Sequence, residues 1–269
     1  MLRFLAAGRE PRTVRATHIA IDGHVGDTLA CVVSMPEWCW GAEHGVNEAG
    51  VAVGNETIYT TLDPRGAPDA LIGMDLVRLA LQRATSARAA VDVIVDLIAR
   101  HGQGGSGHDT SAGQRPRPYW SSFLVADPAD AWVVETSGDL VEAMRVERTW
   151  AISNRTTIPS FDAVHRHPRQ PVERLVDPRL NASRAVLERE PVSAEGLRAH
   201  LASHVGGANG WTVCMHVVDG DELVEATTAS MVVELSRDGW RGWFAQGNPC
   251  STEWTLIESA TAAEVFSGR

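Results

Sequence analysis

The stretch from Trp38 to Glu48 carries the densest set of side chains that could do chemistry. It holds two indoles, a thiol, an imidazole and two carboxylates, and glycines occur at positions 41, 45, 50 and 54. Glycines at this density indicate a loop with unusual backbone, and functional groups are often placed on such loops. The simpler interpretation is an aromatic-lined turn that covers one end of the core. Composition alone favours that interpretation.

Two asparagines follow predicted strand ends. Asn55 comes directly after Gly54, and Asn154 comes directly after Ser153. An asparagine at such a position usually serves the turn itself. A pair of them could instead offer amide donors to an oxyanion, which forms when a nucleophile attacks a carbonyl.

The four cysteines are Cys31, Cys39, Cys214 and Cys250, with no CxxC pair and no spacing typical of a zinc site. They are therefore predicted to be reduced thiols in or near the core. Cys214 and His216 alternate along a predicted strand, so they share a face and could form a Cys-His pair. A buried cysteine beside a core histidine is the commoner explanation.

His165 and His167 have the HxH spacing of some metal hydrolases. They lie in a segment rich in proline and arginine, without a supporting Asp or His motif, so a solvated loop is favoured. The sequence predicts no metal and no cofactor.

Charge and composition exclude several classes of function. The net charge is −10, which disfavours nucleic acid and anionic membranes as partners. All 24 basic residues are arginine, so a Schiff-base lysine, a P-loop lysine and a Ser-Lys pair are excluded. The N-terminus does not resemble a signal peptide, and no apolar run is long enough to span a membrane. We therefore expect a cytoplasmic protein.

Hydrophobic periodicity predicts an α+β fold. Apolar residues with helical spacing predict helices over residues 74–84 and 91–100, with Ser86 as N-cap and Gly102 as the stop signal. Strands are predicted before and after this pair, including 14–22, 29–35, 121–126, 131–135, 140–146, 150–153, 212–218, 227–235 and 242–246. Residues 102–118 are predicted to be a surface loop or an interdomain linker. The loop is preferred, since both flanks need partners to bury their apolar faces, so residues 1–269 are predicted to be one domain.

Residues 36–56, PEWCWGAEHGVNEAGVAVGNE, resemble the corresponding stretch of secernins and their bacterial dipeptidase relatives. The likeness continues through LIGMDLVRLAL at residues 71–81, ISN at 152–154, VCMH at 213–216 and GNPC at 247–250. It covers nearly the whole chain and is weakest between residues 159 and 191.

The resemblance implies an αββα four-layer sandwich of the N-terminal-nucleophile hydrolase type. It further implies hydrolysis of amide bonds in a small peptide-like substrate by an N-terminal cysteine, whose α-amino group serves as the base. Asn55 and Asn154 look like the oxyanion and substrate asparagines of bile-salt hydrolases and penicillin acylases. By the same resemblance, substrate contacts are expected from the loop after residue 36, namely Trp38, Trp40, Glu43 and Asn47.

This sequence departs from the family at its start. Family members begin with the cysteine and an Asn-Ser-Asp-Arg motif, whereas residues 1–15 resemble the family segment that lies directly after that motif. The leading expectation is a dipeptidase-like hydrolase that lacks its nucleophile segment. The alternatives are a non-catalytic descendant that binds a peptide-like ligand or partner, and an acyltransferase on the same fold. A homo-oligomer is possible.

Overall fold

The computed structural model describes residues 1–168, 172–189 and 191–267. The strands, in chain order, are β1 (Leu2–Leu5), β2 (Gly8–Arg9), β3 (Thr13–Arg15), β4 (Ala20–Asp22), β5 (Asp27–Thr28), β6 (Cys31–Ser34), β7 (His44–Asn47), β8 (Ala52–Ile58), β9 (Trp120–Ala126), β10 (Ala131–Ser137), β11 (Leu140–Val146), β12 (His216–Asp219), β13 (Glu222–Ala226), β14 (Ala229–Ser236), β15 (Gly239–Gln246) and β16 (Thr255–Glu258). The α-helices are α1 (Gly73–Arg83), α2 (Ala87–His101), α3 (Pro159–His165), α4 (Asp177–Leu187), α5 (Ala194–Leu201) and α6 (Ala262–Ser267).

Seven antiparallel strands form the larger sheet, in the order β1-β6-β7-β8-β9-β10-β11. β8 and β9 pair along their whole length, from Ala52 opposite Ala126 to Ile58 opposite Trp120. Residues 102–118 therefore return the chain from α2 to the sheet that it left after β8.

A second antiparallel sheet, in the order β14-β15-β16, stacks on the first. Val32 and Val46 of the larger sheet share a buried cluster with Trp240, Phe244 and Ile257 of the smaller one. Trp240 and Phe244 lie on the same face of β15, because side chains an even number of residues apart in a strand point to the same side. Burial between the sheets joins the two middle layers.

Helices cover both outer faces. Leu76 and Leu79 of α1 and Ile94 of α2 are fully buried in one cluster with Phe123 and Val125 of β9. On the other side α5 packs against β14, and the guanidinium carbon of its Arg198 lies 5.1 Å from the centre of a Trp243 ring. The predicted αββα four-layer sandwich is confirmed.

Local capping chemistry sets the ends of α2 as the sequence predicts. The Ser86 hydroxyl oxygen accepts a hydrogen bond from the Ala89 N–H at 3.2 Å. Gly102 follows the last turn with a φ of 72°, a conformation that favours glycine. Apolar side chains every three or four residues then bury one face of the helix.

Residues 8–28 form two small hairpins, β2 with β5 and β3 with β4, which lie against α1. A buried ion pair joins Glu10 to Arg83 at 2.6 Å. The buried Asp75 carboxylate accepts hydrogen bonds from the hydroxyl and the N–H of Thr17, at 2.6 and 3.2 Å. These contacts hold the hairpins over the start and the end of the helix.

Three strand predictions were wrong in extent or kind. Residues 14–22 are the β3–β4 hairpin instead of one strand, and of the predicted strand 212–218 only residues 216–218 belong to a strand, β12. Residues 150–153 form no regular strand, because Trp150 turns into a small apolar cluster and its Nε1 donates to the Thr157 hydroxyl at 3.1 Å. Side-chain packing outweighs strand propensity there.

None of the helices in the described part of the chain is long and apolar enough to cross a membrane.

Candidate functional site

A polar cleft of about 630 Å³ lies where the loop after β6, the middle of β8, residues 107–119 and the end of β13 meet. Most of its walls are polar or charged, and its lining includes Pro36, Trp38, Glu43, Asn55, Glu56, Thr57, Met74, His108, Asp109, Gln114, Arg115, Arg117, Tyr119, Asn154, Glu225 and Thr228. Of the residues predicted to form a site, Asn55, Asn154, Trp38 and Glu43 are here. Long-range strand pairing thus places the two asparagines in one cavity.

Asn47 and Trp40 do not line this cleft, which corrects their predicted placement. Asn47 is fully buried, and its Nδ2 donates to the carbonyls of Leu81 and Ala84 at 2.8 and 2.7 Å. It satisfies carbonyl groups that the C-terminus of α1 leaves unpaired. Trp40 lies under the guanidinium carbon of Arg78, which is 3.9 Å from the ring centre. Both residues support α1.

Asn55 lines the cleft and carries an unsatisfied polar atom in its side chain. Its side-chain oxygen is buried and has no hydrogen-bond partner among the residues that the structure describes. Its Nδ2 lies next to Gly73, where an added Cβ would be 2.5 Å from this nitrogen and 3.2 Å from the Tyr119 hydroxyl. An unpaired buried acceptor costs about 1–3 kcal/mol, so a bound donor would be favoured here. Rotating the Asn55 side-chain amide by 180° exchanges its oxygen and its NH₂ group, so the residue can then donate to a ligand at the same position.

Asn154, in contrast, has its amide engaged by protein. Its Nδ2 donates to the Glu56 carboxylate at 3.3 Å and to the Thr57 carbonyl at 3.1 Å. Its oxygen accepts from Arg179 at 3.0 Å. Both amide hydrogens and the carbonyl are therefore occupied. The arrangement holds Glu56 in place at the cleft instead of leaving Asn154 free to donate to an oxyanion.

Two carboxylates share one part of the cleft. Glu43 is exposed to the cavity, but the protein atoms around it partly desolvate the carboxylate, and this desolvation, followed by repulsion from Glu56, raises its pKa to about 7. Desolvation also raises the pKa of Glu56, while Arg179 and the Asn154 amide act in the opposite direction. This part of the site can bind a cation at neutral pH and above.

Arginines from the loop between α2 and β9 form another part of the lining. Arg115 and Arg117 are exposed, and Arg117 Nη1 lies 3.9 Å from the Glu225 carboxylate. An exposed pair at this distance is weak and leaves the guanidinium able to bind a ligand carboxylate. The cleft therefore offers binding groups of both charge signs.

No cysteine is among the described residues that line the cleft. Burial raises the pKa of Cys31 to about 12, despite the nearby Arg78. Burial likewise raises the pKa of Cys39 to about 12, although the thiol also shares a hydrogen bond with the Thr17 hydroxyl. Since the thiolate is the reactive form, neither thiol is suited to act as a nucleophile at neutral pH.

Several lining residues were missed by the sequence reasoning. Glu56 directly follows Asn55, and its position next to a predicted site residue could have indicated it. Arg115 and Arg117 lie in a segment whose glycine, proline and serine content indicated only a surface loop, and Glu225 lies on a short hairpin strand. Nothing local marks these three, because only the fold brings them to the cleft.

Comparison with known proteins supports the same architecture. No protein-family model matches the sequence. The chain is similar in structure to penicillin V acylase from Agrobacterium tumefaciens, with a TM-score of 0.50 and 13% identity over 96% of this chain and 77% of that one. It is also similar to a mutant conjugated bile acid hydrolase from Clostridium perfringens, with a TM-score of 0.51 and 10% identity over 95% of this chain and 88% of the other. A further variant of that hydrolase is similar with a TM-score of 0.50 and 10% identity, over 96% of this chain and 88% of that one. At these identities the likeness establishes the fold, which is that of N-terminal-nucleophile hydrolases.

Proposed function

We propose that the cleft binds a short peptide, and that the protein is a secernin-like dipeptidase whose cysteine nucleophile is not among these 269 residues. The observation that carries the proposal is the unpaired side-chain oxygen of Asn55, a residue of a cleft that is also lined by acidic and basic groups, in a fold shared with amide hydrolases.

The charges of the cleft fit a zwitterion. A free dipeptide carries an α-ammonium and an α-carboxylate, separated by about 7 Å when extended. Glu43 and Glu56 suit the ammonium, and Arg115 and Arg117 suit the carboxylate. A large apolar ligand would need apolar walls instead, and in this cleft Trp38, Met74 and Pro36 supply only a small part of the lining.

The peptide bond would then lie near Asn55. Turned toward the substrate, the amide can donate to the carbonyl oxygen and to the oxyanion that forms on attack. The Tyr119 hydroxyl lies beside it, and desolvation raises the pKa of Tyr119, which keeps that hydroxyl protonated. Asn154 acts through Glu56 and Arg179, as a positioning residue.

Hydrolysis on this plan requires a thiolate close to Asn55. The described cleft residues include none, so we propose that the thiol comes from a segment encoded upstream of Met1 in the same frame. The absence of a thiol from the described lining favours, as the second candidate, a protein that binds peptides without cleaving them. An acyltransferase would use the same cleft and differ in the acceptor of the acyl group.

The proposal is tested in two steps on separately purified proteins. Calorimetric titration of the 269-residue protein with alanyl-alanine should show saturable binding that N-acetylation or C-amidation of the ligand weakens. If neither alanyl-alanine nor its N-acetylated or C-amidated form binds, the peptide-binding site is refuted.

In the second step, the product of the upstream-extended reading frame should hydrolyse the dipeptide and lose activity with iodoacetamide. A stop codon directly before Met1, together with intact binding, would refute the hydrolase and leave the peptide-binding protein.

A further inference from the structure

A second cluster of reactive side chains lies outside the cleft. His204, Cys214, His216 and Cys250 bring two imidazoles and two thiols together, with one potential ligand atom from each within 4.8 Å of all the others. His216 Nε2 is 3.3 Å from Cys214 Sγ and 3.2 Å from Cys250 Sγ. The rings of His204 and His216 meet edge to face, with centres 5.0 Å apart.

Backbone hydrogen bonds hold the first two ligand segments next to each other. The Cys214 N–H donates to the Ser203 carbonyl at 2.9 Å, directly before His204. The Val213 N–H donates to the Val205 carbonyl at 3.0 Å. The stretch after α5 is thereby fixed beside the stretch that leads into β12, independently of the side chains in the cluster.

A tight turn brings the fourth ligand from β15. Gly247 has a φ of 119°, and the Asn248 carbonyl accepts from the N–H groups of Ser251 and Thr252, both at 3.0 Å. The Asn248 amide donates to the Met215 carbonyl at 3.1 Å, which ties the turn to the segment before β12. Cys250 is therefore held over the cluster by the backbone geometry of the turn.

The donor set is that of a structural zinc site. Zinc bonds of about 2.3 Å to sulfur and 2.0 Å to nitrogen place tetrahedral donors about 3.3–3.8 Å apart, and two thiolates with two imidazoles are a common closed set. The two sulfur–nitrogen separations, 3.3 and 3.2 Å, lie at and just below the lower end of this range. Two thiolates also neutralise the dication, and no carboxylate is present in the cluster to favour magnesium or calcium.

We propose that His204, Cys214, His216 and Cys250 bind one Zn²⁺ ion in a closed tetrahedral site. The sequence spacing of these residues does not indicate a zinc site, because the ligands come from three segments and Cys250 is far along the chain from the other three. The expectation of no metal, drawn from the sequence, is therefore revised by this proposal.

The ion would fix one wall of the cleft. It would join the stretch after α5, the start of the β12–β13 hairpin and the turn after β15. The second strand of that hairpin carries Glu225, and Thr228 comes after it in the cleft lining. The role is structural, so the proposal stands whether or not the cleft hydrolyses peptides.

Elemental analysis of tag-free protein, purified without chelator or added metal, tests the assignment. We expect about one zinc per chain, as for a closed four-ligand site. Cys250→Ser and His204→Ala should each lose most of it, whereas His24→Ala, a change at another histidine away from the cluster, should retain it. Replacement by Co²⁺ should give the visible bands of tetrahedral cobalt and a thiolate charge-transfer band.

Three results would overturn the proposal. One is metal-free protein in which mass spectrometry finds Cys214 and Cys250 joined as a disulfide. Another is metal-free protein with four titratable thiols that fails to take up zinc from micromolar solution. Zinc retained equally in all variants would also contradict the site, because the ion would then lie elsewhere. Circular dichroism shows whether each variant is folded. If one of the two ligand variants does not fold, the metal content of the other still tests the proposal.

Discussion

At the scale of single residues, Asn55 and Asn154 differ more than their similar sequence settings suggest. Both line the cleft, but the amide of Asn154 is occupied by Glu56, Thr57 and Arg179, whereas the Asn55 oxygen is unpaired among the described residues. The structure thus separates a residue available to a ligand from one that holds its neighbours in place.

Asn55→Ala should weaken dipeptide binding about tenfold, as expected for one lost hydrogen bond in a desolvated site. The free energy of unfolding should not fall, since the substitution removes a buried acceptor that has no partner among the described residues. Calorimetric titration and urea denaturation measure the two quantities. Asn181→Ala, at an exposed position of α4, is the matched control and should change neither. Equal binding by the Asn55→Ala variant would exclude Asn55 from the site.

The pH dependence of binding should report Glu43. Its pKa is raised to about 7, so the carboxylate that would bind an ammonium group gains a proton as the pH falls through neutrality. Affinity for the dipeptide should therefore decrease about fivefold from pH 7 to pH 6, while the ligand amine stays protonated. In Glu43→Gln the affinity should be lower and nearly constant over this interval. An affinity that rises toward pH 6 would contradict the assigned role.

At the scale of elements, the start of α1 sets the geometry of the cleft. Gly73 opens the helix, and an added Cβ would lie 2.3 Å from the Ser121 hydroxyl and 2.5 Å from Asn55 Nδ2. Both atoms belong to side chains, so they could move aside, but the Asn55 amide would then leave its position. The absence of a side chain at residue 73 is what lets the helix approach β8 and β9 this closely.

Gly73→Ala should therefore reduce dipeptide affinity at least as strongly as Asn55→Ala, about tenfold or more. The fold should be retained, since the clashes fall on side-chain atoms. Gly66→Ala places its Cβ in open space and should bind like the unmodified protein. Titration of both variants, with thermal unfolding to confirm folding, measures the effect. Normal affinity in Gly73→Ala would show that Asn55 is not constrained as described.

Local sequence patterns predicted α1, α2 and the β9–β11 meander because these elements are fixed by periodicity, caps and turns close in sequence. They did not predict β1, β7 or β16, which are short and depend on pairing with distant strands. The misplacement of Asn47 has the same cause. Its side chain binds carbonyls at the end of α1, and nothing near it in sequence indicates that a helix ends there.

At the scale of the whole molecule, the sandwich assembles two sites that no local pattern contains. The cleft takes groups from β8, the loop before β9, Asn154 and the β12–β13 hairpin, and the cysteine–histidine cluster takes its ligands from three segments. The resemblance in sequence anticipated the fold and brought Asn55 and Asn154 together. The basic part of the cleft, with Arg115 and Arg117, required the structure.

The central claim is that a peptide binds in the cleft, and a crystal structure of the 269-residue protein soaked with alanyl-alanine measures this directly. We expect density for the dipeptide in the cleft, with its ammonium toward Glu43 and Glu56, its carboxylate toward Arg115 or Arg117, and its amide within hydrogen-bonding distance of Asn55. Density for the dipeptide at any other place, or a cleft that stays empty while titration shows binding, would contradict the claim.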